Sequence, residues 1–332
     1  MASPKSLLIS ICITTFNEEE TITELLDSLF FQTVRPFEIF ICDGGSTDRT
    51  VRIIKKLQKK HPSLKLCTSR GSVAHGRNVA LKKARGWIIV SVDSGCFAKE
   101  DWLEKITNPL KDKTVDIVAG FYEMKWRNSF QKIMALYRGT PPERYDPDTF
   151  IPSCRSVAFR KSVWRDVGGF NENLSLSGED TQFFYKALAM GKKMVRVKDA
   201  IVYWNEPMQF SFKDFKKFYF YAKGDAQTGI WWDPIKKWRT HNIKLMTIYI
   251  RYILLTFLLT LSIFHLSFAI FAVFCLLFFV YCFWSIWKWR DVVTDWRERM
   301  WIPVIQIGTD VMVMSGFLVG LIHHRKLLKN TV

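Results

Sequence analysis

Residues 6–50 combine two apolar segments with two polar turns, and this arrangement restricts the possible folds more than any other part of the chain. The first apolar segment leads into the turn TTFNEE, a helical pattern follows, and the second apolar segment ends directly on Asp43-Gly44-Gly45-Ser46. Ligands of open α/β sheets bind beyond the carboxyl ends of the strands, so we expect both turns to line one crevice. Because a carboxylate at a strand end can accept hydrogen bonds from a base or a ribose, the segment predicts a nucleotide pocket.

The alternation of strand and helix patterns continues to about residue 120. Strand patterns lie near 7–14, 37–42, 63–68, 87–92 and 115–119, and helix patterns near 18–31, 47–60, 73–84 and 100–110. This alternation predicts an α/β fold with a mostly parallel sheet flanked by helices and connected by right-handed crossovers. The proline-rich stretch 138–152 indicates a long loop, after which a strand at 156–159 and a helix at 180–190 are expected.

The C-terminal part of the chain is typical of a membrane domain. From Leu245 to Trp287 it is almost continuously apolar, which is long enough for two helices of about 20 residues, the length needed to cross a bilayer. We therefore expect a helical hairpin at about 245–265 and 267–288. A third apolar segment, 301–322, contains Asp310 and precedes the basic tail HHRKLLK, so a re-entrant or interfacial helix is expected there.

The positive charge of the chain is concentrated beside these apolar segments. The formal net charge is +17, and the part from Lys236 onward has 12 Lys and Arg against 4 Asp and Glu. Basic residues near membrane spans favour the cytoplasmic side. The charges therefore predict a multi-pass protein of the cytoplasmic (inner) membrane whose N-terminal catalytic domain lies in the cytoplasm.

Residues 208–242 interleave aromatic residues with lysine and arginine. Single-stranded nucleic acid is bound by such surfaces, but directly before membrane spans the pattern favours helices that lie among the lipid headgroups. No nucleic-acid partner is therefore expected. The predicted organisation is a catalytic domain at 1–230, overlapping juxtamembrane interfacial helices at 208–242, and a membrane domain at 243–332.

Three further motifs place polar side chains where predicted strands end or predicted helices begin: Gly76-Arg77-Asn78, Asp93-Ser94-Gly95 and Gly178-Glu179-Asp180. The first opens a helix whose free N–H groups, together with an arginine, can bind an anion. Purely structural interpretations also stay open, because Asn17, Thr47 and Asp93 can cap helices or turns, and acidic residues stabilise the first turn of a helix.

Together these motifs resemble the family 2 glycosyltransferases, whose catalytic domain has the GT-A fold. The family's Tyr/Phe-Asn-Glu and Asp-Gly-Ser-Thr-Asp motifs correspond here to Phe16-Asn17-Glu18 and Asp43-Gly44-Gly45-Ser46-Thr47-Asp48, and the resemblance covers residues 7 to about 230. It implies a nucleotide-diphosphate sugar, UDP- or GDP-linked. The residues implied to bind it are Thr15, Phe16, Asn17, Glu18, Asp43, Gly44, Ser46, Arg77, Asn78, Asp93 and Ser94.

The resemblance also implies a divalent cation, Mg²⁺ or Mn²⁺, on the donor diphosphate. The family binds this cation with an Asp-x-Asp motif, of which this chain keeps Asp93 and has Gly95 in place of the second acid. Carboxylate oxygens are natural ligands of such cations. With Asp93 as the metal ligand, either water and diphosphate oxygens complete the coordination shell or basic side chains share the work.

The family places its catalytic base in a Glu-Asp pair, which corresponds to Glu179-Asp180. Asp180 is expected to take the proton of the acceptor hydroxyl, in a displacement that inverts the anomeric configuration, while Glu179 orients the acceptor or the base. The Gln/Arg-x-x-Arg-Trp motif of processive synthases is absent from the sequence after Asp180. The segment FKKFYFYAKGDAQTG resembles non-processive relatives instead, and Lys223 and Arg155 are expected to contact the acceptor or a phosphate.

The sequence thus predicts a membrane-anchored, non-processive, inverting glycosyltransferase. Its acceptor is expected to be a hydroxyl of a lipid-linked molecule or a cell-envelope glycan, with membrane lipids as further partners. Two alternatives stay open: a polyprenyl-phosphate sugar synthase, and a catalytically silent membrane scaffold, which Gly95 suggests. The sugar and base of the donor, the acceptor and the oligomeric state are not determined by the sequence.

Overall fold

The computed structural model describes residues 8–36, 38–174, 177–205, 210–230 and 241–329. By its internal contacts the chain divides into two compact units, Met1–Lys125 with Arg144–Pro207, and Trp126–Glu143 with Met208–Val332. Residues 231–240, which include part of the predicted juxtamembrane helices and the basic residues Lys236, Lys237 and Arg239, lie outside the described residues. The domain boundaries 1–230, 208–242 and 243–332 stay predictions.

The first unit is built on one eight-stranded sheet. Its strands are β1 (Ile9–Thr15), β2 (Glu38–Asp43), β3 (Leu64–Thr68), β4 (Ile88–Ser91), β5 (Cys96–Ala98), β6 (Ile117–Met124), β7 (Val157–Arg160) and β8 (Met194–Trp204). Its α-helices are α1 (Ile22–Phe30), α2 (Thr50–Gln58), α3 (Val73–Lys83), α4 (Trp102–Thr107), α6 (Lys161–Val167) and α7 (Glu179–Ala189), and α5 belongs to the second unit.

The strand order β3-β2-β1-β4-β7-β6-β8-β5 creates the crevice that the sequence predicts. β3, β2, β1 and β4 are parallel, β7 is antiparallel to both of its neighbours, and β5 is antiparallel to β8. The predicted α/β fold is confirmed, as a mixed sheet. The chain places β2 and β3 on one side of β1 and β4 on the other, so the carboxyl ends of β1 and β4 form a topological switch point, where such sheets bind ligands.

The central parallel strands are apolar because both of their faces are covered. All six residues of β2 and all four of β4 are buried, and successive side chains of a strand point to opposite faces of the sheet. The strands become polar where they reach the rim of the sheet. There Thr15, the last residue of β1, lies in register beside Asp43, the last residue of β2.

The described residues of the second unit form helices: α5 (Ser129–Arg138), α8 (Phe212–Thr228), α9 (His241–Phe264), α10 (Phe268–Trp287), α11 (Trp296–Arg299) and α12 (Trp301–Lys329). Three segments are long and apolar enough to cross a membrane: Leu245–Phe264, Phe268–Trp287 and Trp296–His324. The first two coincide with the predicted hairpin. They expose large apolar side chains, such as those of Phe257, Phe279 and Phe283, which a bilayer would cover.

Asp310, the acid within the third apolar segment, is buried and hydrogen-bonded. Gln306 Nε2 donates to Asp310 Oδ1 over 2.8 Å, the Tyr281 hydroxyl donates to Oδ2, and the Tyr137 hydroxyl donates to Gln306 Oε1 over 3.0 Å. These donors satisfy the carboxylate inside the helical unit. α12 continues unbroken from Trp301 to Lys329. The re-entrant or interfacial placement of 301–322 expected from the sequence stays a prediction.

Helices α8 and α12 contact each other through glycines. A Cβ added at Gly316 would lie 2.1 Å from the Tyr219 carbonyl oxygen, and one added at Gly320 would lie 2.4 Å from the Lys223 carbonyl oxygen. The spacing Gly-x-x-x-Gly is typical of close helix contacts in membranes. Because both neighbours are backbone atoms of α8, an added methyl group has to move a helix and not merely a side chain.

We therefore expect Gly316→Ala to destabilise the second unit by about 1–3 kcal/mol or more, the usual cost of overpacking. Thermal unfolding of the full-length protein in detergent measures this effect. Ser315→Ala is the matched control, because Ser315 is the exposed neighbour in the same helix. Equal melting temperatures for Gly316→Ala and Ser315→Ala would show that α8 and α12 are not in close contact.

Candidate active site

The Phe16-Asn17-Glu18 and Asp43-Gly44-Gly45-Ser46 turns form one continuous rim at the ends of β1 and β2. Gly44 N donates to Thr15 O over 2.8 Å, Asn17 N donates to Ser46 Oγ over 2.9 Å, and Thr47 N donates to Asn17 Oδ1 over 2.8 Å. Asn17 has a φ of 54°, a left-handed conformation that asparagine tolerates better than most residues. The two motifs are thus joined directly, as their order in the sheet predicts.

Asp43 is fully buried and holds the turn that follows it. Its Oδ2 accepts from Gly45 N at 2.8 Å and from Ser46 N at 3.0 Å, and its Oδ1 accepts from Ser46 Oγ at 2.5 Å. The sequence prediction of a direct nucleotide contact therefore stays a prediction, whereas the structure gives Asp43 the role of fixing the rim. Phe16 is an exposed aromatic residue of this rim, with 58% of its surface accessible beside Gly44.

The loop after β4 lies against the same rim. Ser94 Oγ donates to Thr14 O over 3.2 Å and to Glu18 Oε1 over 3.3 Å, and the Thr21 hydroxyl donates to Glu18 Oε2. Asp43 ends β2, Asp93 follows the end of β4 by two residues, and these two strands flank β1. Of the predicted donor-binding residues, the structure therefore brings the Glu18, Asp43 and Asp93 motifs together.

Arg155 lies beside Trp204 in the first unit. Its guanidinium stands 3.9 Å from the centre of a Trp204 ring and 5.0 Å from the Tyr122 ring centre. Burial raises the pKa of the Cys96 thiol; the charge of Arg155 acts against this rise, and the charges of Asp93 and Glu18 add to it. Trp204, which Arg155 contacts, and Glu18 Oε2 both lie within 4 Å of the position that a Cβ at Gly95 would take.

Arg77 connects the donor side of the site with the Glu-Asp pair. Its Nη2 lies 2.9 Å from Asp93 Oδ1, and its Nε lies 3.4 Å from Glu179 Oε1. Only 6% of Arg77 is exposed. The sequence predicts that Arg77 contacts an anion; the anions it contacts in the structure are these two carboxylates.

Asn78 has a structural role beside Arg77. Its Oδ1 accepts from Trp164 Nε1 at 3.0 Å and from Phe170 N at 2.9 Å, and its Nδ2 donates to Phe170 O and to Glu172 Oε1, each over 2.8 Å. These contacts fix the GGFNE turn to the middle of α3. Both hydrogen-bonding ends of the Asn78 amide are thus used by protein groups, and the predicted nucleotide contact is not shown.

Glu179 and Asp180 begin α7 in two different environments. Asp180 Oδ2 accepts from the backbone N–H of Cys154 at 3.3 Å, and Asp180 Oδ1 accepts from Thr181 N at 2.8 Å. Glu179 is buried, and burial, reinforced by the charge of Asp180 and opposed by Arg77, raises the pKa of Glu179 to about 7. The pair therefore combines one carboxyl that holds its proton near neutrality with one that lies beside a backbone donor.

The raised pKa of Glu179 predicts a pH-dependent stability. The folded protein binds more protons than the unfolded chain between the ordinary value of 4.5 and about 7, so this group's contribution to stability falls as the pH rises through that window. The loss is on the order of 3 kcal/mol. Glu179→Gln cannot ionise, so its melting temperature should rise relative to wild type between pH 5 and pH 8. A difference that does not change with pH would contradict the assignment.

Some residues of this site were not predicted, and one predicted residue belongs to the second unit. The sequence did not predict three groups: Trp204, Tyr122 and the backbone N–H of Cys154. For Trp204, the only sequence signal was its place as the aromatic last residue of the VYW segment. Lys223 lies on α8 in the second unit. Its predicted contact with an acceptor or phosphate stays a prediction.

A divalent cation fits this site when the protein and the substrate both supply its ligands. In the part of the chain that the structure describes, no group of three His, Cys, Asp or Glu side chains could hold a metal ion alone. Mg²⁺ is commonly bound by one or two carboxylates and completed by substrate phosphates and water. Asp93, whose side chain is 23% exposed, is placed for such a role beside the open space at Gly95.

Comparisons with known proteins agree with this geometry. Residues 10–168 match the family model described as Glycosyl transferase family 2. Glycosyltransferase AglE of Haloferax volcanii is 29% identical over 209 residues, which cover 58% of this chain and 65% of that protein. A Methanococcus voltae protein is 38% identical over 101 residues, 29% of this chain and 32% of that protein; it is named dolichyl N-acetyl-alpha-D-glucosaminyl phosphate 3-beta-D-2,3-diacetamido-2,3-dideoxy-beta-D-glucuronosyltransferase.

A solved structure shares the fold over most of the chain. It is the mannosyltransferase PcManGT from Pyrobaculum calidifontis in complex with GDP-Man and Mn²⁺, with a TM-score of 0.63 and 20% identity over 93% of this chain and 87% of that one. At this identity the likeness concerns the fold. The chain spans less than two thirds of the length of the two curated relatives.

Proposed function

We propose that this chain is a glycosyltransferase that moves a sugar from a nucleotide-diphosphate donor to an acceptor presented at a membrane, since residues 10–168 match the family model described as Glycosyl transferase family 2. The observation that carries the proposal is the Arg77 bridge, which joins Asp93 on the donor side to Glu179 on the base side. Donor and acceptor chemistry thus belong to one crevice. That crevice lies at the switch point of the sheet, where ligands of α/β folds bind.

The donor nucleotide would lie on the rim formed by the first two turns. Phe16 offers an exposed aromatic face to a base, and the turn that Asp43 fixes presents Gly44 and Ser46. The diphosphate would reach the Asp93 loop. Asp93 would hold a Mg²⁺ or Mn²⁺ there, and this ion would supply positive charge for the leaving diphosphate.

Asp180 would act as the general base. Burial raises the pKa of Glu179 to about 7, so near neutral pH Glu179 holds a proton for part of the time and the role of base falls to Asp180. Asp180 then takes the proton of the acceptor hydroxyl as the oxygen attacks the anomeric carbon. A direct displacement of this kind inverts the anomeric configuration.

The acceptor would be held at the bilayer by the helical unit. Three of its segments can span a membrane, and a relative's name contains a dolichyl-linked sugar phosphate. Basic residues on both ends of the hairpin favour a catalytic unit on the cytoplasmic side. Incubation with polyprenyl phosphate and with a polyprenyl-linked sugar separates transfer to a carrier phosphate from transfer to a hydroxyl.

Calorimetric titration of the full-length protein in detergent with UDP- and GDP-sugars tests the donor site. One of the two classes should bind, and Asp93→Asn should weaken that binding, whereas Glu20→Gln, an exposed acid of the first turn, should leave it unchanged. Absence of binding to every donor would contradict the proposal and would favour the catalytically silent scaffold.

A further inference from the structure

Gly95 leaves a space in the donor site that is open to a side chain. A Cβ built on it would lie 3.7 Å from Trp204 Nε1 and 3.9 Å from Glu18 Oε2, both ordinary contact distances. Gly95 has a φ of 81°, a left-handed backbone conformation that favours glycine. Gly95 stands where the Asp-x-Asp pattern would place its second acid. The carboxylate of Glu18, from the turn after β1, borders the same space.

That carboxylate is held in position from two sides. Ser94, the residue between Asp93 and Gly95, donates to Glu18 Oε1 over 3.3 Å, and Thr21 donates to Glu18 Oε2. Hydrogen bonds of this kind orient ligating carboxylates. Because Ser94 directly follows Asp93, the same short loop connects the two acids.

Resting on the donor site proposed above, we propose that Glu18 supplies the second carboxylate of a divalent-cation site whose first ligand is Asp93. The cation would be shared with the donor diphosphate, which explains why the described residues contain no self-sufficient cluster of metal ligands. Glu18 thus replaces, from the turn after β1, the acid that Gly95 lacks.

Binding of Mn²⁺ to the full-length protein tests this assignment without an activity assay. The electron paramagnetic resonance signal of free Mn²⁺ is followed during titration in the presence of saturating UDP or GDP, whichever the protein binds. Glu18→Gln should weaken Mn²⁺ binding by at least about tenfold, the lower end of the loss seen when even an outer partner of a metal site is removed. Glu20→Gln is the matched control and should not change it.

A second variant keeps the test decisive if Glu18→Gln disturbs the turn. Gly95→Asp in the Glu18→Gln background returns a carboxylate to the same space, at a position where aspartate tolerates the left-handed backbone better than most residues. It should recover most of the lost Mn²⁺ affinity. A non-acidic control, Gly95→Asn in the same background, should recover little.

The outcomes separate this inference from the proposed function. Unchanged Mn²⁺ affinity in Glu18→Gln, or no recovery in the double variant, would overturn the role of Glu18 while nucleotide binding persists. Nucleotide binding without any Mn²⁺ binding in the wild type would also overturn it and would leave Arg155 to neutralise the diphosphate. A wild-type protein that binds neither nucleotide nor Mn²⁺ would overturn both proposals.

Discussion

Asp180→Asn is expected to lower the turnover number by about 10²–10⁴-fold, the usual contribution of a general base, while the affinity for the donor nucleotide stays unchanged. Asparagine has the same shape as aspartate. Its side-chain oxygen can still accept the hydrogen bond that Cys154 N donates to Asp180 Oδ2 over 3.3 Å. It cannot take a proton from the acceptor hydroxyl. Turnover is measured as released nucleoside diphosphate, and affinity by calorimetry on the same preparations.

Asp166→Asn is the matched control for this change. Asp166 also lies on a helix of the first unit, α6, but its side chain is 43% exposed and pairs with Lys192 at the surface. Its replacement should leave turnover at the wild-type value. Near-normal turnover of Asp180→Asn would remove Asp180 from the mechanism, and a loss of nucleotide affinity as large as the loss of turnover would make it a binding residue instead.

Arg77→Met is expected to destabilise the first unit by about 3–5 kcal/mol, because removal of one partner leaves buried charge uncompensated. Arg77 is 6% exposed, and without it Glu179 and Asp93 would lose the cation between them. Arg77→Lys keeps the charge but lacks the planar fork that reaches two carboxylates, so its stability should be intermediate. Thermal unfolding in detergent, with binding of the donor as a second readout, measures both variants.

Arg49→Met controls for the loss of an arginine as such. Arg49 pairs with Glu19 through its Nε over 3.0 Å, but 74% of its side chain is exposed, and ion pairs of this kind contribute little. It should unfold as the wild type does. If Arg77→Met were as stable as Arg49→Met, the Arg77 bridge would not hold the site together.

The parallel half of the sheet was predictable because its strands are short, buried on both faces and separated by helical patterns. The expected strands at 7–14, 37–42 and 87–92 correspond to Ile9–Thr15, Glu38–Asp43 and Ile88–Ser91. The sequence did not predict β5 and β8. β5 has three residues and pairs with a strand about a hundred positions later, and β8 alternates between buried and partly buried residues only near its end.

The motifs identified the chemical groups of the site but not their partners. Arg77, Asn78 and Asp43 were expected to contact the nucleotide sugar, and each is bound by protein groups in the structure. A motif shows which polar groups reach the rim of a sheet. It does not show which of their hydrogen bonds the fold already satisfies, because those partners come from segments distant in sequence, such as the turn at 168–172.

The contacts of the second unit also depend on residues that are distant from one another in the sequence. The apolar segments predicted the hairpin, whereas the approach of α8 to Gly316 and Gly320 follows from the absence of side chains at two positions. Asp310 was an obstacle to predicting a membrane span, because one of its donors, Tyr281, lies on α10 and becomes its neighbour only when α10 and α12 pack together.

The stereochemistry of sugar transfer tests the account most directly. The full-length protein is incubated in detergent with the donor that it binds and a polyprenyl-linked acceptor, and the anomeric configuration of the first product is read by proton nuclear magnetic resonance. We expect release of one nucleoside diphosphate for each sugar transferred and a product whose anomeric configuration is inverted relative to the donor. Retention of configuration would contradict the assignment of Asp180 as the base of a direct displacement.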